Sequence, residues 1–204
     1  IYTLSLHDAL PISTSAYQEF FELQKALWAL RKRVFALESP NLARGGAMRR
    51  RFMEALPFEP TDAQRRAVAE IAEDLSRSRP MRRLLQGDVG CGKTIVALGA
   101  LAQAVGAGFR AAVLVPTTVL SGQFRRACER HLSPVGVRCA EVLGGMSEKA
   151  RASLRRALED GEVDVVVGTH ALLEEWLSFD RLGLVVIEDR KSTRLNSSHQ
   201  PLSR

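Results

Sequence analysis

The chain has 204 residues, of which 46% are hydrophobic and 25% charged, a composition typical of a globular protein rather than a disordered or fibrous one. No apolar run approaches the roughly 18 residues that cross a bilayer, and the amino end lacks the order of a secretory signal. We therefore expect a cytoplasmic protein without membrane association. The three cysteines form no CxxC pair, so neither a zinc site nor a disulfide framework is indicated. The net charge of +6 fits a nucleic-acid partner, and equally a solvated basic surface.

Both ends of the sequence resemble translated sequencing adapters. Residues 1–12 (IYTLSLHDALPI) and 189–199 (DRKSTRLNSSH) each match an adapter codon for codon. We expect 1–12 and 189–204 to be adapter-derived, so that the native reading frame covers Ser13 to about Glu188. The adapter would supply the last base of codon 188, which predicts an Asp codon in the source DNA. The alternative is a genuine amino-terminal segment and a genuine Ser/Arg-rich tail.

Residues 13–52 are predicted to form a helical linker. From Tyr17 to Leu37, apolar residues recur every three or four positions, which indicates an amphipathic helix. A stretch rich in Pro, Asn and Gly from Pro40 to Gly46 interrupts the pattern, and three arginines follow at 49–51. The basic side chains either are solvated or contact phosphates.

Residues 53–188 form the second predicted unit. Thr61 and Gln64 have the spacing of a capping box, which predicts a helix that buries Val68, Ile71 and Leu75. This helix should stop at the Arg-Pro pair 79–80, since proline cannot continue it.

Short β-rich runs then alternate with helical stretches. The predicted strands are Arg83–Gln86, Ala111–Val115, Val137–Leu143, Val163–Val167 and Leu184–Ile187, and helices should begin at Thr94, Val119 and Ser147. Several strands are apolar on both faces, which is typical of a parallel sheet covered by helices. The pattern predicts a doubly wound α/β domain with ligand sites at the carboxyl ends of the strands. Deep burial is expected for Leu84, Leu85, Val113, Leu114, Val165–Val167 and Val185–Ile187.

A G-x-x-x-x-G-K-T motif follows the first predicted strand. Its glycines allow backbone N–H groups to converge on phosphate oxygens, Lys93 can neutralise the β and γ charges, and Thr94 Oγ1 can ligate Mg²⁺. Cys91 is interpreted as a small, tolerated side chain rather than a redox thiol. The predicted nucleotide-binding residues of this loop are Gly87, Asp88, Gly90, Cys91, Gly92, Lys93 and Thr94.

Two further segments should lie on the same rim as this loop. Pro116-Thr117-Thr118 follows the second predicted strand and Gly168-Thr169-His170 follows the fourth. Small and hydroxyl residues at strand ends can hydrogen-bond to a sugar-phosphate chain, although turns and helix N-caps use the same residues. His170 fits a hydrogen-bonded loop histidine better than a catalytic base.

Taken together, six blocks resemble, in order and spacing, the first motor domain of the RecG family of superfamily-two DNA helicases. They are LPFEPTDAQ, RRLLQGDVGCGKT, VLVPTTVL, VLGG, VVVGTHALL and LGLVVI, and the resemblance runs from about Tyr17 to Ile187. It implies a RecA-like P-loop NTPase sheet preceded by a helical segment that leads from a wedge domain. It also implies ATP-driven translocation on branched DNA such as forks and Holliday junctions, with ATP and Mg²⁺ as cofactors, in a protein we expect to be monomeric.

The resemblance also assigns roles to particular residues. Gln64 would read adenine, and the loop 87–94 would bind the phosphates and Mg²⁺. The residues along the DNA track would be Pro116, Thr117, Gly144, Gly168, Thr169 and His170. Glu188 stands where the family has the Asp that helps to hold Mg²⁺ opposite Thr94, so Lys93, Thr94 and Glu188 are the catalytic candidates. The family's next residue, a Glu that orients the attacking water, is replaced by Asp189, so we expect this chain to be inactive.

Two alternatives remain open at this stage. Thr118 replaces the usual Glu of the RecG family, and the spelling PTTVL resembles the transcription-repair coupling factor (Mfd) family. The LPF block and the preceding FFELQKALWALRKR helix favour RecG. A nucleotide-binding module that does not move along DNA is the other alternative.

Overall fold

The computed structural model describes residues 21–25 and 38–188, and residues 21–25 are helical. The expectations for residues 1–12 and 189–204, and most of the helix predicted from Tyr17 to Leu37, lie outside the described residues. The helices are α1 (Gly46–Glu54), α2 (Asp62–Leu75), α3 (Lys93–Gly106), α4 (Thr118–His131) and α5 (Glu148–Glu159). Short 3₁₀ turns occupy Ala43–Gly45, Ser133–Val135 and His170–Leu173. The strands are β1 (Arg110–Leu114), β2 (Cys139–Val142), β3 (Val165–Gly168) and β4 (Leu182–Ile187).

The four strands form one parallel sheet in the order β2-β3-β1-β4. Ala111 in β1 lies opposite Val165 of β3 and Leu184 of β4. Parallel neighbours need crossover connections, which the helices between the strands provide. The predicted α/β fold of the RecA-like type is confirmed, and all four strand carboxyl ends meet at one rim.

Successive side chains of a strand point to opposite faces of the sheet, and apolar clusters pack on both faces. On the first face, Val113, Val165 and Val167 pack in one cluster with Leu98 of α3 and Phe124 of α4. On the second face, a smaller cluster joins the sheet to α5 and to the segment after β3, and its members are Val142, Leu158, Val163, Val166, Ala171, Leu172 and Leu177. The predicted burial of Val113 and of Val165–Val167 is confirmed, whereas Leu114 is only half-buried.

The start of α2 is the predicted capping box. Thr61 Oγ1 accepts a hydrogen bond from the Gln64 backbone N–H at 3.2 Å, and Gln64 Oε1 accepts one from the Thr61 N–H at 2.9 Å. Val68, Ile71 and Leu75 are buried as predicted, and the helix ends at Leu75, a few residues before the Arg-Pro pair.

Helix α1 packs tightly on α3 and spans the boundary predicted between residues 52 and 53. Phe52 is fully buried in the first cluster. A Cβ at Gly45 would lie 1.7 Å from the backbone oxygen of Gln103, so the chain can approach α3 this closely only with glycine. The buried Gln103 amide donates to Leu42 O at 3.3 Å and to Ala72 O at 3.1 Å, which ties the linker to α2 and α3.

The strand predicted at Arg83–Gln86 is wrong. This segment has no strand pairing, and Leu84 is 79% exposed where deep burial was expected, while Leu85 is half-buried. No described strand runs beside it. The Arg83 guanidinium instead pairs with Asp74 at 2.7 Å, and also with Glu70, which fixes the segment along α2.

The predicted deep burial of Val185–Ile187 is also wrong. β4 is the edge strand of the described sheet, and Val185 and Ile187 are 50% and 68% exposed on its second face. α5 and the segment after β3 cover β2 and β3 on that face and do not extend over β4. On the first face, Leu184 is buried and Val186 is half-buried against the first cluster.

Candidate nucleotide site and nucleic-acid rim

The loop 87–92 adopts a conformation that requires glycine. Gly90 and Gly92 have φ angles of +84° and +82°, in the left-handed region that other residues rarely adopt. A Cβ at Gly92 would lie 2.2 Å from Gln64 Nε2, and one at Gly87 would lie 2.7 Å from Cys91 Sγ. These glycines therefore bring the backbone into close contact with its neighbours, as a phosphate cradle demands.

Lys93 is the first residue of α3 and its ammonium group lies inside the loop. Nζ donates to the backbone oxygens of Gly87 and Asp88, both at 2.7 Å, and lies 3.7 Å from Cys91 Sγ. The first N–H groups of a helix have no partner within the helix, and its dipole favours an anion there. A positive charge and a helix amino terminus thus converge on one point, which is the chemistry of a phosphate site.

Gln64 is bound to the loop by its side chain. Its Nε2 donates to Cys91 O at 3.0 Å, while its Oε1 is occupied by the capping box. Sequence reasoning expected this side chain to read adenine and missed that it joins the start of α2 to the phosphate loop. The amide keeps one N–H and one lone pair for a further partner.

A cleft of about 350 Å³ lies between α1 and α2, and it was not predicted. It is lined by Arg49, Arg50, Met53, Glu54, Pro60, Arg65 and Val68. Burial and the neighbouring Arg50 lower the pKa of Arg49, whose Nε is buried without a partner among the described residues. Hydrogen bonding to Asp62 raises the pKa of Arg65. An apolar floor with guanidinium groups at its edge suits a planar ring that carries anionic groups.

The structure exposes some of the predicted DNA-track residues and buries others. Pro116, Thr117, Gly144 and His170 are exposed at the strand carboxyl ends. Thr117 also caps α4, since its Oγ1 accepts from the Leu120 N–H at 3.3 Å.

Gly168 and Thr169 are buried, and their backbone oxygens already accept hydrogen bonds from the Val115 and Leu172 N–H groups. A Cβ at Gly168 would lie 2.5 Å from Val142 O, so β2 can approach β3 this closely only because residue 168 is glycine.

Glu188 directly follows β4 at the same rim. Its backbone N–H donates to Leu114 O at 2.9 Å, which continues the pairing of β4 with β1 by one residue. Thr94 lies in the first turn of α3, and α3 packs against β1 and β4. Because α3 ends at Gly106 and β1 begins at Arg110, the helix runs back along the sheet and starts at the carboxyl ends of the strands. The fold therefore brings the two predicted metal ligands to the same end of the sheet.

Comparisons with known proteins agree with this geometry. The sequence model of the DEAD/DEAH box helicase family matches residues 61–194, a range that includes Gln64, the phosphate loop and Glu188. The chain is 38% identical to the ATP-dependent DNA helicase RecG of Acidithiobacillus ferridurans over 189 residues, which cover 93% of this chain and 28% of that protein. It is 39% identical to RecG of Thermotoga maritima over 175 residues, covering 86% of this chain and 22% of that protein.

A solved structure of RecG bound to a three-way DNA junction matches the fold with a TM-score of 0.75 and 39% identity. The match covers 85% of this chain and 24% of that one.

A parallel α/β sheet with this phosphate loop defines a P-loop nucleotide-binding protein, and the chain belongs to the DEAD/DEAH box helicase family. Within that family it is similar to RecG, which confirms the resemblance given by its six motifs. It spans about a quarter of the length of these RecG relatives. No helix among the described residues is both long and apolar enough to cross a membrane.

Proposed function

We propose that this chain is the ATP-binding part of the first motor domain of an ATP-dependent translocase acting on branched DNA, and that it represents part of a longer protein. The observation that carries the proposal is the formed phosphate loop, with Lys93 inside it and Gln64 bound to Cys91 O. The similarity to RecG proteins, one of them bound to a three-way DNA junction, supports DNA as the partner.

In this proposal the loop binds the phosphates of ATP, whose hydrolysis supplies the free energy for movement. When ATP binds, the Lys93 ammonium would donate to phosphate oxygens in place of the backbone oxygens of Gly87 and Asp88. The N–H groups at the start of α3 would donate to the same phosphates. The base would lie next to Gln64, whose side chain is bound to this loop at Cys91 O. The remaining N–H of the Gln64 amide can donate to the base.

Mg²⁺ would be held by Thr94 and the carboxylate at position 188. The described residues contain no cluster of three or more His, Cys, Asp or Glu that could hold a metal by themselves. This fits Mg²⁺, which takes one or two protein ligands together with water and substrate phosphates.

DNA would lie along the rim formed by the strand carboxyl ends. Pro116, Thr117, Gly144 and His170 offer exposed groups there, next to the buried Gly168 and Thr169. The positive net charge favours association with a phosphate backbone. We further propose a monomeric, cytoplasmic protein.

The isolated chain should bind nucleotide weakly and hydrolyse it negligibly, because hydrolysis needs an acidic pair and arginines from a second motor domain. The test is titration of the 204-residue chain with a fluorescent ADP analogue, and separately with a labelled three-way DNA junction. We expect saturable binding of both, with Lys93→Ala losing nucleotide binding and retaining junction binding. No saturable nucleotide binding by a folded chain would refute the proposal.

A further inference from the structure

Four side chains join α5 to the segment that follows β3. The Arg151 guanidinium lies over the Trp176 ring, 5.4 Å from its centre, and its Nη2 pairs with Glu174 Oε2 at 3.1 Å. The Trp176 indole N–H donates to the same Glu174 oxygen at 2.8 Å, and Arg155 Nε donates to Trp176 O at 3.2 Å. We name this set, Arg151, Arg155, Glu174 and Trp176, the α5 clamp.

The α5 clamp is a partly buried arrangement rather than a solvated ion pair. Only 26% of the Arg151 side chain is exposed, and its Nε is buried without a hydrogen-bond partner among the described residues. Leu172 and Leu177, on either side of the clamped residues, are buried in the second cluster, and Trp176 packs against that cluster. An ion pair combined with ring stacking and apolar anchors holds its geometry better than an exposed pair does.

The α5 clamp connects the two chain segments that follow the rim residues Gly144 and His170. Arg151 lies near the start of α5, the helix that follows Gly144, and Trp176 lies shortly after His170. Gly144 and His170 are two exposed rim residues that come from different strand ends. Among the described residues, the α5 clamp is the set of polar contacts that joins α5 to the segment after His170.

We infer that Arg151 is a positioning residue. Through Trp176 and Glu174 it holds the loop that contains Gly144 and the loop that contains His170 in the relative arrangement that binds a DNA backbone. The inference rests on the proposed DNA-binding function of this rim. Arg151 acts through the loop and does not itself touch the nucleic acid. Two loops that are already ordered lose less conformational entropy when DNA binds than two flexible loops would lose.

The experiment measures junction affinity of the full 204-residue chain by fluorescence anisotropy with a labelled three-way DNA junction. Arg151→Ala should weaken binding about fivefold, the effect of an ion pair and a cation–π contact together. Lys149→Ala is the matched control, because it removes an exposed charge from the same helix outside the clamp. Its loss should be smaller, and both variants should retain wild-type affinity for the fluorescent ADP analogue.

A mutant cycle separates positioning from direct contact. Trp176→Ala should weaken junction binding as Arg151→Ala does, and the double variant should be no weaker than either single variant. Additive losses, or equal losses in Arg151→Ala and Lys149→Ala, would overturn the inference and indicate a simple charge effect.

Glu174→Gln provides a milder variant in case Arg151→Ala does not fold. It keeps an oxygen acceptor for the indole N–H and removes the ion pair alone, so a smaller loss of junction affinity is expected, and no loss would count against the clamp. Hydrogen exchange of residues 168–177 should rise in Arg151→Ala while the phosphate loop is unchanged. Unchanged exchange in residues 168–177 would overturn the inference. Failure of the wild-type chain to bind the junction would instead refute the proposed DNA-binding function, and the exchange measurement would still test the α5 clamp.

Discussion

Replacing Gly92 by alanine tests how the phosphate loop depends on Gln64. Gly92 has φ +82°, so a Cβ there costs about 1–2 kcal/mol in the left-handed region. The same Cβ would lie 2.2 Å from Gln64 Nε2, so the side-chain amide must move. Its Nε2 then no longer donates to Cys91 O, and its Oε1 no longer accepts from the Thr61 N–H. At about 1 kcal/mol for each bond, the total loss of unfolding free energy is about 3–4 kcal/mol.

Gly108→Ala is the matched control for this substitution. Gly108 has φ +83°, and no neighbouring atom would lie within 4 Å of a Cβ there. Alanine at this position therefore costs only about 1–2 kcal/mol, for the left-handed backbone. Urea unfolding followed by far-UV circular dichroism gives both values. Gln64→Ala should cost about 2 kcal/mol in the wild-type chain and almost nothing in Gly92→Ala, because the bonds are already lost. Equal losses in the two glycine variants, or additive losses with Gln64→Ala, would refute this reasoning.

Further expected outcomes concern binding, the core, pH and the source DNA. Lys93→Ala should abolish binding of the ADP analogue and, through the lost bonds to Gly87 O and Asp88 O, lower the unfolding free energy by about 1–2 kcal/mol, measured by titration and urea unfolding. Phe52→Ala should lower the unfolding free energy by about 3–5 kcal/mol, whereas Phe58→Ala, at a ring that is 44% exposed, should cost far less. Burial lowers the pKa of His131 from its ordinary value of 6.5, so the unfolded chain takes up the proton first. Stability should therefore fall as the pH drops below about 6.5, and less so in His131→Gln. Sequencing the source DNA should show an Asp codon where this chain has Glu188, and any other codon there would contradict the adapter interpretation.

The local features that the sequence predicted correctly depend on neighbouring residues. The capping box at Thr61 and Gln64 is a contact between residues three positions apart, so its spacing alone identifies it. The G-x-x-x-x-G-K-T motif likewise predicts the conformation of its own loop, because glycines at fixed positions and a following helix are enough to form it. Strands such as Val165–Gly168 were recognisable because they are apolar on both faces.

Two mistaken predictions share one cause. Leu84 and Ile187 were expected to be buried because their runs are apolar, and a run of apolar residues does not say which elements cover it. Burial depends on pairing partners and covering helices from elsewhere in the chain. Among the described residues, no strand runs beside Arg83–Gln86 and no helix covers the second face of β4.

The sequence by itself determined which residues form the phosphate loop, the capping box and, apart from Arg83–Gln86, the alternating strands and helices, since these are contacts over a few positions or repeats of fixed period. Only the tertiary structure decided that Gln64 binds Cys91 O, that α1 and α2 together line the arginine-rich cleft, and that Arg151 stacks on Trp176. Each of these contacts joins residues far apart in the chain. Their geometry is fixed by how the helices pack on the sheet, which no local pattern records.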